Sequence, residues 1–457
     1  MSFPAYEEYK DSGVGWISEV PDHWGVTPIR LAARLESGHT PSRSKPEYWK
    51  DCNVPWFTLG DVWQIRDGLT NVVTETKEKV SELGLANSAA RLLPKGTVIL
   101  SRTASVGFSA IMGIDMATTQ DFANWVCGPK LHPEYLLHVF RAMGRDFERL
   151  RMGSTHNTIY MPDIRSMRCP LPPLPEQTAI ASFLDTETSK IDGLVSEQRR
   201  LIELLKEKRQ AVISHAVTKG LNPDVKMKPS GIQWLGEVPE HWSVQRIKHT
   251  ITSIEQGWSP QCEISPVESD EQWGVLKVGC VNYGRFTPEE NKALPSTLES
   301  QPELGIRKDD LLISRANTIE LVGSAAVAER DYGNLMLCDK LYRLRMDHSR
   351  LLPRFLCCFL TCEIAREPIE LGATGASPSM KNIAQSVILE LWFAAPNIDE
   401  QLQIVTAIQE RCEALTKLIA QAERAIELLQ ERRTALISAA VTGKIDVRGY
   451  KPDQAIV

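Results

Sequence analysis

Predominantly apolar positions spaced seven residues apart mark two stretches of the chain, at 184, 191, 198, 205 and 212 and again at 408, 415, 422, 429 and 436. This spacing is typical of a coiled-coil seam, which is narrower than the apolar stripe of an ordinary surface helix. Proline is absent from residues 176–220 and 400–444. The pattern predicts helices over about 176–218 and 400–442, each roughly 60 Å long at 1.5 Å per residue.

The two stretches are copies of each other at an offset of 224 (400 − 176). A helix of this length needs a partner for its apolar seam, so we expect the copies to pack on each other, parallel or antiparallel. The matched seam positions are Ile180, Leu184, Ile191, Leu194, Leu205, Val212, Ile404, Ile408, Leu415, Leu418, Leu429 and Leu436. A second apolar edge, expected to lie off the seam and to be available to helices of another protein, consists of Ile202, Leu204, Ile419, Ile426 and Leu428.

The duplication extends beyond the helices. Residues 9–30, YKDSGVGWISEVPDHWGVTPIR, match residues 227–248, MKPSGIQWLGEVPEHWSVQRIK. A repeat of this length predicts two structurally equivalent halves. His23 and His241 recur in it and invite a catalytic interpretation. Because the sequence shows no carboxylate or nucleophile at a fixed spacing from them, we expect a structural turn instead.

Two divergent blocks, about 25–165 and 243–385, separate the repeated segments. Both are punctuated by Gly and Pro and alternate short β-rich runs with helical runs, such as residues 132–151. Single landmarks still recur, among them Gly38 with Gly257 and Arg102 with Arg315. We therefore predict four consecutive segments: a globular domain over 1–165, a helical spacer over 166–226, a second globular domain over 227–388, and a second spacer with its tail over 389–457.

Composition narrows the class of protein. The net charge of −6 argues against a chain that wraps nucleic acid by bulk charge, although local basic patches remain compatible with DNA binding. Ten cysteines without a C-x-x-C pair favour free thiols in a reducing cytoplasm. The apolar runs are too short to span a bilayer, and no secretion signal precedes them.

In this order, the motifs resemble the specificity subunit of Type I restriction–modification systems. The resemblance rests on the twin SG…W…VP.HW boxes, the PEQ and DEQ helix starts, and the twin LIELL.E.R..LIS.AVT helices. The related triplets Leu100–Arg102 and Ile313–Arg315, with the stretches Gly153–Thr155 and Gly372–Thr374, add to it. The second helix entry, LWFAAPNIDEQ, lacks the PLPPLPEQ form of the first, so we expect its geometry to differ.

The resemblance implies an α+β fold. Two pseudo-twofold-related α/β target-recognition domains are separated by two long helices that form an antiparallel coiled coil. It also implies that each domain reads one half of a bipartite double-stranded DNA target and that the helices set the spacing. Two methyltransferase subunits dock on the helices, and restriction subunits join the full complex. S-adenosylmethionine, ATP and Mg²⁺ are then expected on the partner subunits, with no cofactor in this chain.

Motifs for catalysis are missing from the sequence. It contains no G-x-x-x-x-G-K-[ST] phosphate loop and no N/D-P-P-Y/F motif for an extruded adenine. Pro21-Asp22 and Glu75-Thr76-Lys77 echo a nuclease pattern, but the gap between them is long. A stand-alone nuclease or methyltransferase is therefore disfavoured, and a coiled-coil scaffold without sequence-specific DNA binding is the other alternative.

Residues suited to reading DNA cluster in loops of both blocks. Base edges are read by Arg, Lys, Asn and Gln, and phosphates by these and by hydroxyl groups. In the first block the candidates are His39, Thr40, Ser42, Arg43, Lys45, Arg66, Arg102, Gln120, His156 and Asn157. In the second they are Gln256, Trp258, Ser259, Gln261, Lys277, Asn282, Tyr283, Arg285, Arg315, Asn317, Ser379, Lys381 and Asn382. Arg102 and Arg315 are favoured because they recur after a strand, either as phosphate contacts or in structural ion pairs.

Overall fold

The chain forms two compact units in a computed structural model that describes residues 3–151, 157–269, 271–377 and 380–450. Unit 1 comprises the described residues up to Arg199 together with those from Glu423 onward, and unit 2 spans Arg200–Ala422. Each long helix is therefore divided between the units, unlike the four consecutive segments predicted above. The reason is that the helix ends are built into the globular cores, as Ile180 and Ile404 show by their complete burial.

Both units are α/β structures with short strands. The strands of unit 1 are β1 (Tyr9–Asp11), β2 (Glu19–Pro21), β3 (Gly25–Pro28), β4 (Ala33–Ser37), β5 (Val54–Phe57), β6 (Val72–Val73), β7 (Glu78–Val80), β8 (Val98–Ser101), β9 (Ser109–Met112), β10 (Ala117–Thr118), β11 (Phe122–Cys127) and β12 (Arg168–Leu171). Its short helices are α1 (Glu82–Ala86), α2 (Pro133–Ala142), α3 (Gly144–Leu150) and α4 (Met161–Ser166). The helix predicted over 132–151 is thus interrupted at Met143, next to Gly144, a poor helix former.

The long helices are α5 (Leu174–Lys219) and α9 (Ile398–Val441). The strands of unit 2 are β13 (Met227–Pro229), β14 (Glu237–Pro239), β15 (Ser243–Arg246), β16 (Ile251–Gln256), β17 (Gly274–Leu276), β18 (Val281–Asn282), β19 (Arg285–Phe286), β20 (Asn291–Ala293), β21 (Gly305–Ile306), β22 (Leu311–Ser314), β23 (Ala316–Asn317), β24 (Ala325–Val327), β25 (Tyr332–Met336), β26 (Leu341–Met346), β27 (Thr374–Ser377), β28 (Met380–Asn382) and β29 (Trp392–Ala395). Its short helices are α6 (Pro353–Leu360), α7 (Glu363–Leu371) and α8 (Gln385–Leu389).

The sheets of the two units correspond. The order β4-β11-β8-β9 in unit 1 matches β16-β26-β22-β24 in unit 2, and the first sheet continues into β6. A second sheet, β10-β5-β7, matches β25-β17-β20, with one parallel and one antiparallel pair in each. The duplication predicted from the sequence is therefore present in the topology.

The long helices run antiparallel, which the sequence left open. In unit 1, the side chain of Arg433 donates to Asp192 at 2.9 Å, while Ile437 and Val441 share a core with Leu184 and Ile180 earlier in α5. In unit 2, the end of α5 and the start of α9 share a core that contains Ile213 and Ile408. The fold class predicted above is thus confirmed.

Most, but not all, of the predicted seam residues are buried or half-buried. Of the predicted seam residues, those buried are Ile180, Leu184, Ile191, Leu205, Ile404, Ile408 and Leu415, while Val212, Leu429 and Leu436 are half-buried. Leu194 and Leu418 were placed wrongly, because they are 52% and 48% exposed. Their positions in the seam are taken by the next residues, Val195 and Ile419.

The second apolar edge needs the matching correction. Ile202 is buried and Ile419 and Ile426 are half-buried, so these residues belong to the seam rather than to a free edge. Leu204 and Leu428 are exposed as predicted. The seam residue that follows Ile191 is Val195, and the one that follows Leu415 is Ile419, so each lies four positions later rather than three. This heptad phase leaves Leu194 and Leu418 facing solvent.

A repeated clamp joins the start of each long helix to its unit. Glu176 accepts hydrogen bonds from Trp24 Nε1 at 2.8 Å and pairs with His23 Nε2 at 2.8 Å. Glu400 contacts Trp242 Nε1 at 3.1 Å and His241 Nε2 at 2.8 Å in the same way. Each histidine therefore has a carboxylate partner, which the sequence spacing did not reveal, and contributes to the attachment of a long helix.

The glutamine after each clamp residue fixes the neighbouring turns. Gln177 accepts from His132 N at 2.8 Å and donates to the carbonyl oxygens of Lys130 and Pro172, both at 2.9 Å. Gln401 makes the equivalent bonds with Leu352 N at 2.9 Å, Arg350 O at 3.1 Å and Pro396 O at 2.9 Å. The expectation of a different second helix entry is therefore wrong, because these bonds need the carbonyl at the turn and not a proline-rich sequence.

Candidate nucleic-acid interface

A glycine at the end of one strand positions the first candidate residues in each unit. A Cβ on Gly38 would lie 2.1 Å from Thr118 O, and one on Gly257 would lie 1.9 Å from Leu337 O, so only glycine allows this close crossing. The next residues donate backbone hydrogen bonds to the same carbonyl oxygens, His39 to Thr118 and Trp258 to Leu337. This close crossing positions Thr40 in unit 1 and Ser259 in unit 2 at equivalent points of the fold.

Arg102 and Arg315 lie beside these residues. Arg102 donates from Nε to Gln120 O at 3.0 Å and from Nη1 to Ile159 O at 3.3 Å. Arg315 donates from Nη1 to Asp339 O at 3.3 Å. Each arginine thus binds a main-chain carbonyl group in the loop before β11 or β26, a role that differs from the ion pair considered for them.

Side chains of the crossing loop complete the cluster. Thr40 Oγ1 lies 2.8 Å from Gln120 Oε1, and Ser259 Oγ donates to Asp339 Oδ1. Gln256 Nε2 donates to Asp339 O at 3.0 Å. We call the set around Arg102 and Gln120 the unit 1 cluster, and the set around Arg315 and Asp339 the unit 2 cluster.

A further loop adds candidates to each cluster. In unit 2, β23 pairs with β28, which brings Asn317 opposite Lys381, and Arg315 O accepts from Ile383 N at 3.0 Å. Lys381 Nζ is bound to Gly375 O at 2.7 Å, and Asn382 lies on the same strand. In unit 1, Asn157 O accepts from Ala104 N at 2.8 Å, two residues after Arg102. The candidates His156 and Ser379 and the stretch 153–155 lie outside the described residues.

A second group of candidates lies near the long helices of each unit. Arg66 donates to Ser105 Oγ at 3.3 Å and lines a cavity of about 350 Å³ with Arg433 of α9. The β18–β19 hairpin carries Asn282, Tyr283 and Arg285; it walls a groove of about 550 Å³ whose other sides are α5, α6 and α9. Tyr283 and Arg285 thus face the long helices of unit 2, whereas the contact of Arg66 with Ser105 lies three residues from Arg102.

The remaining candidates contribute to local packing. Arg43 lies 4.4 Å from the centroid of Trp49 and donates to Glu78 at 3.2 Å, while Lys45 donates to the hydroxyl group of Tyr48 at 3.2 Å. That hydrogen bond raises the pKa of Lys45. The exposed Ser42, the exposed Gln261, the core-packed Trp258, and Lys277 paired with Glu290 at 3.6 Å are not part of either cluster.

Sequence reasoning missed Asp339 altogether. An acidic residue does not fit the usual search for DNA contacts, which selects basic and amide side chains. The signal that identifies it is the repeat itself. Asp339 lies 219 residues after Gln120 (339 − 120), the same offset that relates Gly38 to Gly257 (257 − 38).

The described residues show no arrangement for metal binding and no membrane-spanning helix. None of their His, Cys, Asp and Glu side chains form a group of three or more that would hold a metal ion. The helices they form are all too short or too polar to cross a membrane. Burial raises the pKa of the Cys338 thiol to about 12 and that of Cys362 to about 11, which makes these thiols poor nucleophiles at neutral pH.

The sequence is similar to a known protein family model and to individual known proteins. A family model described as the Type I restriction modification DNA specificity domain matches residues 21–204. The EcoKI specificity subunit of Escherichia coli (strain K12) is 22% identical over 95% of this chain and 92% of its own length. The EcoEI specificity subunit of Escherichia coli is 26% identical, over 45% of this chain and 34% of its own length.

Solved structures show the same fold. A chain from a study of complex assembly and conformational transition of the type I R-M system aligns with a TM-score of 0.69 at 16% identity, covering 93% of this chain and 99% of its own. The HsdS subunit from Thermoanaerobacter tengcongensis aligns with a TM-score of 0.54 at 16% identity, covering 93% and 98%. These matches show that the chain shares a fold of α/β units combined with two long helices. The chain is similar over most of its length to specificity subunits of Type I restriction–modification systems.

Proposed function

We propose that this chain is the DNA-reading and scaffolding subunit of a Type I restriction–modification complex and is not catalytic by itself. Each unit reads one half of a bipartite target through its own cluster, and the two long helices set the length of the unspecified spacer. The carrying observation is that the units share the same clamp and strand order but differ in the side chains at equivalent loop positions. A conserved frame with different loops suits two readers of different sequences.

The exposed leucines of the helices support a partner at their surface. Leu194 and Leu428 in unit 1, and Leu201, Leu204 and Leu418 in unit 2, are each between 42% and 52% exposed. Apolar side chains repeated along a helix are typical docking positions for a partner helix. We propose that two methyltransferase subunits bind there, that restriction subunits join them, and that S-adenosylmethionine, ATP and Mg²⁺ are bound by those partners.

The decisive experiment maps N6-methyladenine across the genome of a methylation-free host. The host carries this chain with its neighbouring methyltransferase, or the methyltransferase alone. We expect a bipartite motif only when this chain is present. If both proteins are made and associated but no motif appears, the reading function is wrong and a scaffold without sequence-specific DNA binding is favoured.

Lengthening the helix pair tests the role in spacing. Inserting seven residues after Arg199 in α5 and seven after Ala422 in α9 preserves the heptad phase and adds about 10 Å at 1.5 Å per residue. With about 3.4 Å per base pair, we expect the unspecified spacer to grow by about three base pairs, with both half-sites unchanged. Seven residues added to the linker 221–226 serve as the control and should leave the spacer unchanged. A change in either half-site sequence would contradict the idea that the helices only measure distance.

A further inference from the structure

Gln120 and Asp339 occupy the same place in the two units. Each lies two residues before a strand that pairs with the strand ahead of the crossing loop, β11 or β26, and each lies two residues after the carbonyl group that the crossing loop contacts. Gln120 is exposed and Asp339 is half-buried. The framework around them is therefore duplicated, whereas the side chain that it presents is not.

Each of these side chains is held by the hydroxyl group of the crossing loop. Thr40 Oγ1 is 2.8 Å from Gln120 Oε1; Ser259 Oγ donates to Asp339 Oδ1 and accepts from Asp339 N at 3.1 Å. Arg102 and Arg315 bind the main-chain oxygens of the same two residues. A side chain fixed at both its backbone and its tip loses little further freedom on binding, which suits a group that reads a base edge.

The hydrogen-bonding groups that are left free for a ligand differ between Gln120 and Asp339. An amide carries two N–H donors, so Gln120 keeps at least one donor whichever way its single contact with Thr40 is oriented. An ionised carboxylate carries acceptors only, and the bond from Ser259 leaves Oδ2 of Asp339 unused among the contacts of the described residues. The same position therefore offers a donor in unit 1 and only an acceptor in unit 2.

We propose that Gln120 and Asp339 are equivalent base-reading positions, which rests on the proposed function. Asp339 accepts a hydrogen bond in the major groove from the exocyclic amino group of cytosine or adenine. Gln120 donates to a purine N7 or to a keto oxygen. The carboxylate also rejects base edges that offer only acceptors, since it would stand unpaired against them in a field of phosphates.

Basic residues near Asp339 make a carboxylate tolerable beside DNA. Arg315 binds its main chain, and Lys381 lies on β28, which pairs with the strand that follows Arg315. These cations are suited to the phosphates on either side of the base that is read.

The test is the N6-methyladenine map of the complete methyltransferase complex with substituted chains. For Asp339→Asn we expect one base position of one half-site to lose its preference roughly tenfold or more, with the other half-site unchanged. Gln120→Glu should act in the same way on the other half-site alone. Asp339→Gln places the chemistry of unit 1 in unit 2 and should create a new base preference, which a misfolded chain does not produce.

Matched controls separate base reading from a general change of charge. Glu289→Gln removes one exposed negative charge from unit 2, and Asn87→Asp adds one to unit 1, both outside the clusters. Both controls should leave the motif as it is. An unchanged motif, or a uniform loss of methylation at the same motif, in all three variants would overturn this inference while the proposed function stood. If the wild-type chain directs no bipartite motif, the proposed function fails first and this inference with it.

Discussion

Unit 1 and unit 2 share the same strand order, but equivalent positions on β11 and β26 carry different side chains. Asn124 on β11 pairs in register with Glu36, and Arg343 on β26 pairs with Glu255 at the equivalent position. Asn124 donates to Thr118 Oγ1 at 2.9 Å, and its own oxygen has no partner among the described residues. Arg343 is 1% exposed and binds Glu255, with Asp310 at 3.8 Å. One strand position therefore carries a small polar contact in unit 1 and a buried charge network in unit 2.

The comparison teaches that the frame depends on bonds to main-chain groups rather than on the side chains of the sheets. The two clamps and the two glutamines are repeated almost atom for atom, whereas the buried polar groups are not. A hydrogen bond to a carbonyl group constrains the path of the chain without restricting the neighbouring side chains. Such a frame tolerates divergent loops, and this property is what two different readers require.

The largest expected difference between the units follows from Arg343. Arg343→Met should destabilise unit 2 by about 3–5 kcal/mol, because the buried carboxylate of Asp310 loses one of its two arginine partners. Asn124→Leu at the matched position should cost unit 1 only about 1–2 kcal/mol, since it removes one neutral hydrogen bond. Hydrogen exchange of amides in β22 and β26, compared with those in β8 and β11, measures each loss. A similar loss for both variants would contradict the comparison.

The glutamines should show equal effects in both units. Gln177→Ala and Gln401→Ala each leave three main-chain partners unsatisfied in a buried place, at a cost of about 2–3 kcal/mol. The informative readout is exchange at two amides, His132 N for the first variant and Leu352 N for the second. Glu176→Gln is the milder control, because it keeps an acceptor for Trp24. A large difference between the two glutamine variants would show that the frame is not equivalent.

Acid should affect unit 1 more than unit 2 through His138. This side chain is buried against Asp185 at 3.1 Å, and its burial, together with the nearby Arg141, lowers its pKa although Asp185 acts in the opposite direction. The unfolded chain then takes up the proton more readily than the folded chain. The stability contribution is complete above the ordinary histidine pKa of about 6.5 and declines as the pH falls below it.

Unit 2 has Cys358 where unit 1 has His138, at an offset of 220 (358 − 138), and so lacks this group. His138→Cys should therefore remove the decline between about pH 6.5 and 5 from unit 1, as measured by hydrogen exchange of α2 across this range. His39→Gln, at an exposed position, should leave the decline in place. Persistence of the decline in His138→Cys would assign it to another group.

The smallest effect on stability is expected at the exposed leucines. Leu194→Ser should change the free energy of unfolding by about 0.5 kcal/mol or less, whereas Val195→Ser, at the neighbouring seam position, should cost about 2 kcal/mol. Under the proposed function, Leu194→Ser should nevertheless weaken binding of the methyltransferase. Calorimetry of unfolding and of that association separates the two. Equal destabilisation by both variants would return Leu194 to the seam.

The two long helices, the duplication and the family resemblance can be read from the amino-acid sequence alone. These depend on local periodicity and on repeated residue order, which are present in the chain before it folds. The predicted bounds of about 176–218 and 400–442 agree closely with Leu174–Lys219 and Ile398–Val441 for this reason. The sequence also identified Arg102, Arg315, Thr40, Ser259 and Gln120 as members of the candidate interface.

Which of these residues contact each other depends on the folded structure. The heptad spacing is satisfied by either of two phases, and the face that is buried depends on the partner helix, so Leu194 and Leu418 were misplaced. The hairpin at Tyr283 turns toward the helix pair, and the clusters form where loops distant in sequence cross the end of a sheet. Asp339 was missed because its role depends on the position that it shares with Gln120, and that position is defined by hydrogen bonds to residues about 80 positions earlier. Contacts of this range are absent from local pattern, because their geometry exists only once both strands have been brought together.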